Sequence, residues 1–234
     1  MRSPPSATTR KSQDQSRVCL LCAPRPWETT CFGTPEPTAG LSRVNSHLAC
    51  VLGARCAIFI GTCGGLLDDA AAGDHIVPDA VYADESSTRA YEGPAGDRLH
   101  RADPSVSRRL TMALTGVGCT VRRGLTVTHQ AQLAESWADI QAWHKAGWAG
   151  AEMEAASVLA PAAAFAVPAG AILVIADNLV AGQSVFDPEI REGRTRRRGA
   201  LADAYKVALP VILTHPDDAT APFASHPSPQ EAAP

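Results

Sequence analysis

The chain alternates between short apolar runs and apolar residues set at helical spacing. Leu41, Val44, Leu48, Val51 and Leu52 recur in this way, and Gly53 then supplies a helix stop before Ala57-Ile-Phe-Ile60. The pattern predicts a helix feeding a buried strand. That strand runs into Gly61-Thr-Cys-Gly-Gly65, where missing side chains let the backbone turn sharply and come close to a ligand. His75 to Tyr82 is a second strand, and Pro78 within it points to an edge or a bulge. Asp103-Pro104 joins an N-cap to a first-turn proline, opening a helix that buries Val106, Leu110 and Leu114 and closes at Gly116 to Gly118. Cys119 to Val127 reads as a strand, and Leu133, Trp137, Ile140 and His144 mark a helix up to Gly147. Glu152 to about Phe165 is Ala-rich and helical, bent at Pro161, and Ala169 to Ala176 is a fully buried strand. Leu201, Tyr205, Ala208 and Ile212 form the face of a last helix. Before Gly40, repeated prolines leave room for one strand at Val18 to Leu21. Strands alternating with helices predict one α/β domain with a partly parallel sheet over residues 18–214, between disordered tails at 1–17 and 215–234.

Composition narrows the class. With 234 residues, 45% of them hydrophobic, the chain can bury one sizeable core. A formal net charge of −3 leaves no basic field to hold nucleic acid or an anionic membrane, so neither is an expected partner. Apolar runs such as Ala169 to Ala176 fall far short of the roughly 20 residues of a membrane-spanning helix. The seven cysteines are odd in number and lack framework spacing, which predicts reduced thiols and a cytoplasmic protein. Cys19 and Cys22 have CxxC spacing, but a four-ligand zinc site needs a second pair that does not follow, so no metal is expected. The run Arg191, Arg194, Arg196, Arg197 and Arg198 lacks interleaved aromatics and reads as a solvated approach to the last helix.

The candidate chemistry lies where strands end in polar turns. Ala57 to Ile60 leads into Gly61-Thr62, and Ala171 to Ala176 into Asp177-Asn178. The carboxyl ends of strands in open α/β sheets face a ligand crevice, so Thr62 and Asp177 are expected to converge. An Asp after a strand is equally a turn or cap former. Glu152 and Glu154 open an apolar helix, where the helix dipole alone also favours carboxylates.

Taken together, Ala57-Ile-Phe-Ile-Gly-Thr-Cys-Gly-Gly-Leu66, Gly73-Asp-His-Ile-Val-Pro78, Gly150-Ala-Glu-Met-Glu-Ala-Ala156 and Ile172-Leu-Val-Ile-Ala-Asp-Asn178 resemble the nucleoside phosphorylase family, which includes purine nucleoside phosphorylase, uridine phosphorylase and methylthioadenosine nucleosidase. The resemblance runs from about Thr38 to Leu213. It implies a single domain with a mixed central sheet flanked by helices. It also implies cleavage of the N-glycosidic bond of a purine-type nucleoside, with inorganic phosphate as co-substrate and no other cofactor, in a homo-oligomer. Residue by residue, it places Thr62 on phosphate within the anion-favouring loop that begins at Gly61, Met153 against the sugar, Glu154 on the ribose hydroxyls with Glu152 beside it, and Asp177 as the acid that protonates the departing base. His129 or Gln130 then stands where the base edge would be read. Glycosidic cleavage builds positive charge on the sugar and negative charge on the base. Burial is therefore expected to raise the pKa of Asp177, while Glu154 stays ionised among hydroxyl donors.

The sequence departs from the family in two places. The family's phosphorylases carry an Arg two residues before the Gly of this turn, and here that residue is Phe59. The family's first phosphate loop has no clear counterpart in Arg17 to Gly40, so the N-terminus reads as shortened or replaced. Phosphorolysis then needs an arginine from elsewhere in the chain or from a partner subunit, with Arg43 and Arg89 as the donors a partner would lend. Hydrolysis by water and a catalytically inactive nucleoside-binding protein stand as alternatives.

Overall fold

A computed structural model describes residues 18–25, 28–34, 39–93, 96–184, 187 and 194–213, with side chains from Gly40 onward except that of Arg194. The expected tails at 1–17 and 215–234 lie outside the described residues. So do the side chains of Cys19 and Cys22.

The strands are β1 (Val18–Arg25), β2 (Glu28–Thr34), β3 (Ala57–Gly65), β4 (His75–Asp84), β5 (Leu99–Arg101), β6 (Val121–His129), β7 (Gly150–Glu152) and β8 (Ala169–Asn178). They form one eight-stranded mixed sheet in the order β2-β1-β3-β7-β6-β4-β5, with β8 pairing both β3 and β4. The second pairing closes β3, β7, β6, β4 and β8 into a ring, so the inner strands have no free edge. The helices are α1 (Ala39–Val51), α2 (Pro104–Gly116), α3 (Trp137–Lys145), α4 (Ala155–Ala164) and α5 (Arg194–Leu213).

Two apolar layers sandwich the sheet. Phe59, Leu173 and Ile175 pack with Ala155, Ala156 and Leu159 of α4 and with Ala49 and Cys50 of α1. Ile58, Ile60 and Ile172 pack with Val106, Leu110 and Leu114 of α2 and with Ala204, Ala208 and Ile212 of α5. The two sets alternate along β3, as period-2 side-chain geometry requires. Helix α2 starts as its sequence predicts, with Asp103 Oδ1 accepting from the Val106 amide at 2.9 Å and Pro104 in the first turn.

Several elements differ from the pattern. The N-terminal region holds a hairpin of two strands rather than one; Pro24 sits where the β1–β2 register breaks, between Cys22 and Arg25, so its missing N–H disturbs no regular ladder. Pro78 marks a bulge in the β4–β6 pairing, but β4 is interior rather than an edge. Leu133 belongs to a separate 3-10 turn, Gln132–Ala134, and not to α3. Helix α1 turns the opposite face to the core from the one its apolar spacing marks. It buries Ser42, Ser46, Ala49 and Cys50, while Leu41, Val44, Leu48, Val51 and Leu52 are 42–71% exposed. Small residues on α1 and the alanines of α4 let the two helices approach closely, and Ser46 Oγ donates to the Val158 carbonyl at 3.1 Å. Among the described residues no helix is long and apolar enough to cross a membrane.

This packing separates residues that the sequence treats alike. Leu110→Ala, in the sealed α2 layer, should lower stability by about 2–5 kcal/mol. Leu133→Ala, 90% exposed in the 3-10 turn, should stay within about 0.5 kcal/mol of the parent. Urea denaturation of the two variants measures both.

Candidate active site

The strand ends bring the predicted residues together. Gly64 and Gly65 of β3 lie opposite Asp177 and Asn178 of β8 on one side and opposite Ala151 and Gly150 of β7 on the other. Thr128 of β6 lies opposite Glu152 of β7. The approach of β3 to β7 demands a glycine at position 150, because a Cβ there would stand 3.2 Å from the Gly64 carbonyl and 2.8 Å from Ile76 Cδ1. Cys63, buried at the centre, feels the charges of both Glu152 and Asp177, and burial first and then those charges push its thiol well up.

A register slip aims Asp177. Thr62 is paired with Val174 and Cys63 with Ile175, so strict alternation would give Asp177 the phase of Cys63. The pairing shifts between Cys63 and Gly64, so that Gly64 faces Asp177 and the carboxylate takes the phase of Thr62. Asp177 is only 5% exposed. Asn178 fixes the backbone around it, donating from Nδ2 to the carbonyls of Leu67 and Ala70, each at 3.0 Å, and accepting from the Ala181 amide. Arg197 donates to the Ala176 carbonyl at 3.0 Å, and Arg196 reaches the buried Asp74 at 3.4 Å. Arg194, Arg196, Arg197 and Arg198 therefore lie within α5 itself, with Arg197 tying it to the end of β8; Arg191 lies outside the described residues.

Glu152 and Glu154 divide two tasks. Glu152 ends a strand and does not begin the helix. Its Oε2 accepts from the amides of Glu154 and Ala155 at 2.6 and 2.7 Å, and its Oε1 accepts from the Thr128 hydroxyl. Thr128 Oγ1 in turn accepts from the Ala156 amide at 2.9 Å. With its oxygens engaged inside the chain, Glu152 positions the head of α4 and has little left to offer a sugar. Glu154 is the N-cap residue of α4 but makes no side-chain cap bond, so capping does not explain it. Glu154 is 7% exposed. Burial, then the Glu152 charge, push it up to about 8 against the donation of the Met153 amide. Burial likewise raises Glu152 to about 7 against its three donors. Glu154 thus holds a proton at neutral pH in the free site, contrary to the expectation that it stays ionised: the hydroxyl donors that would favour its charge come with a substrate. Met153 is half-buried between the two glutamates.

The remaining predicted residues fare differently. Thr62 is half-buried within β3, which runs on through Gly65, so the turn expected over Gly61 to Gly65 is strand instead. Gly61 is required by Phe59, whose ring would stand 2.9 Å from a Cβ there. Phe59 itself is fully buried in the apolar layer. His129 has Nε2 at 3.2 Å from the Ala131 carbonyl, Nδ1 at 3.8 Å from Asp84, and its ring packed edge-on to Trp143. Among the described residues no group of three or more His, Cys, Asp or Glu side chains is arranged to hold a metal.

A family model described as the phosphorylase superfamily matches residues 15–206. The chain belongs to that superfamily. Within it, a guanosine phosphorylase of Halorubrum lacusprofundi is 32% identical over 122 residues, covering 52% of this chain and 50% of that protein. The match thus spans about half the length of that relative. The crystal structure of a uridine phosphorylase from Vibrio fischeri ES114 superposes with a TM-score of 0.65 at 20% identity, covering 78% of this chain and 75% of the other, a likeness of fold. The superfamily's mixed α/β architecture is the one seen here.

The paired glutamates make stability depend on pH. Their folded pKa values, about 7 and about 8, exceed the ordinary 4.5, so the native state binds more protons than the unfolded chain between pH 4.5 and 8. Their contribution is fully present below that window and is lost as pH rises through it. The thermal midpoint should fall from pH 5 to pH 9, and Glu154→Gln should flatten the fall, as melts across that range will read.

Proposed function

We propose that this chain cleaves the N-glycosidic bond of a purine-type nucleoside, with inorganic phosphate as co-substrate and no other cofactor. The observation that carries the reading is the pairing of two separately held, buried carboxyl groups, Asp177 at the slipped end of β8 and Glu154 at the head of α4. Asp177 is assigned to protonate the departing base, whose negative charge would otherwise oppose bond breaking. Glu154 is assigned to the ribose hydroxyls, with Met153 against the sugar face. Thr62 and Gly61 are assigned to the anion, in the stretch of β3 between its pairing with β1, which ends at Ile60, and its pairing with β7, which begins at Gly64. The guanosine phosphorylase relative supports a purine over a pyrimidine.

Phe59 favours a second reading. A buried phenyl ring occupies the position where the resemblance implies a phosphate-binding arginine, so water is the rival nucleophile. We further propose that residues 18–214 act as one unit and assemble with further copies of the chain. The exposed apolar row of α1 supports assembly. Light scattering on Leu48→Glu should then show a smaller particle than the parent.

Base release from guanosine and inosine, with and without phosphate, tests the reaction. Release that needs phosphate is the expected result; release without it assigns hydrolysis, and binding without turnover assigns an inactive nucleoside-binding protein. Asp177→Asn should reduce kcat by about 10²–10⁴-fold and spare substrates with activated leaving groups. Glu154→Ala should raise KM and lower kcat together.

A further inference from the structure

We infer that Asp74 is a positioning residue: it knots the loop of residues 67–74 into a rigid jig that sets the slipped end of β8 and so aims the Asp177 carboxyl. This rests on the assignment of Asp177 to the departing base given above. The loop joins β3 to β4 and brackets Asp177 along the backbone. Two residues before the acid, the Gly73 amide donates to the Ile175 carbonyl at 2.8 Å and the Ile175 amide donates to the Asp74 carbonyl at 2.9 Å. One residue after it, Asn178 donates from Nδ2 to the Leu67 and Ala70 carbonyls, each at 3.0 Å. Ala176 and Asp177 lie between these holds, where the pairing of β3 with β8 slips. A bulge takes its residue out of the ladder, so its shape depends on what fixes the residues on either side. Here both fixed points belong to one short loop.

An irregular loop keeps one shape only when its polar groups are bound. Asp74 binds them from inside, because its buried carboxylate meets three parts of the chain at once. Its Oδ2 accepts from the Ala71 amide at 3.2 Å and lies 3.6 Å from Nη2 of Arg122 on β6, while its Oδ1 accepts from Nη2 of Arg196 on α5 at 3.4 Å. Arg122 also grips the outer turn of the loop, donating to the Asp69 carbonyl at 3.0 Å and to the Asp69 carboxylate at 2.6 Å. Gly73 has φ +91°, and a Cβ there would stand 2.8 Å from Arg196, so the loop closes directly against that arginine. Charge-assisted bonds of this kind are strong, and removing the charge of Asp74 loosens the anchors on β6 and α5 together.

Magnitudes separate this role from a general structural one. Misplacing a reacting group by about 1 Å costs on the order of 10²-fold in rate. The whole contribution of a general acid is about 10²–10⁴-fold, which sets the ceiling for a residue that acts only by aiming that acid. The effect of Asp74 must therefore vanish when the acid is absent, and again when the leaving group needs no proton. A residue that merely stabilises the fold obeys neither condition.

The test measures kcat and KM for guanosine and 7-methylguanosine, with phosphate present, in wild type, Asp74→Asn, Asp177→Asn and the double variant, with thermal melts on each. The methyl group of 7-methylguanosine leaves N7 positively charged, so its base departs neutral without taking a proton. In Asp74→Asn, guanosine kcat should fall by about 10–100-fold with KM changed only a few-fold, while kcat for 7-methylguanosine stays within a few-fold of wild type. In the double variant, guanosine kcat should match that of Asp177→Asn alone, as for two residues acting as one unit. Arg122→Gln, which releases the loop from its partly exposed side, should show the same split, and it decides the question if Asp74→Asn does not fold. An unchanged guanosine kcat, equal losses on the two substrates, or effects that multiply in the double variant overturn the inference and leave glycosidic cleavage standing. A wild type that releases base from neither nucleoside overturns the functional reading and the inference together.

Discussion

The Glu152 carboxylate holds the site together. It lies fully inside the protein between the ends of two strands and the head of a helix, taking two amides of α4 and the Thr128 hydroxyl. Removing it would leave those buried donors without an acceptor, a penalty of about 1–3 kcal/mol for each. It would also free α4 from β6 and β7. Because α4 packs on α1 through small residues, and because Glu154 stands at its head, the position of the Glu154 carboxyl follows from this one clamp. The clamp works under tension between burial, which favours the neutral acid, and its donors, which favour the charge.

A second constraint is topological. β8 pairs with β3 on one side and β4 on the other, closing the ring and leaving its end little freedom. Within that ring a single residue of slip is enough to carry Asp177 from one phase of the strand to the other. Arg197 and Asn178 then hold the peptides on either side of the slip. The acid is aimed by backbone register, with side-chain contacts stabilising a direction already chosen.

Much of the fold was legible in the sequence because local rules and tertiary structure agree there. The Asp103-Pro104 helix start, the buried run of β8 and the Gly-rich end of β3 each have a strong local cause. Helix α1 was legible as a helix, but its buried face was not, since that face is chosen by the close approach of α4 and not by where the leucines stand. The same limit applies to the site. Thr62, Met153, Glu154 and Asp177 are recognisable by motif and come to one end of the sheet. Glu152, inseparable from Glu154 by sequence, is told apart only by its hydrogen bonds. Arg197 sits in a basic run where nothing local distinguishes it from a solvated residue; what marks it is its bond to the Ala176 carbonyl across the fold. For His129 the sequence shows the nearby Ala131 but not Asp84 or Trp143, which reach its ring across the fold.

The contact between Phe59 and Gly61 carries an evolutionary consequence. The ring fills the space that any side chain at position 61 would enter, so the two positions cannot vary independently. A lineage could enlarge residue 61 only after residue 59 had become smaller or turned away. Conversely, an ancestor with a long polar side chain at position 59 could acquire the phenyl ring only while position 61 remained glycine. The order of substitutions is therefore constrained by sterics alone, and the pair forms an epistatic latch within β3.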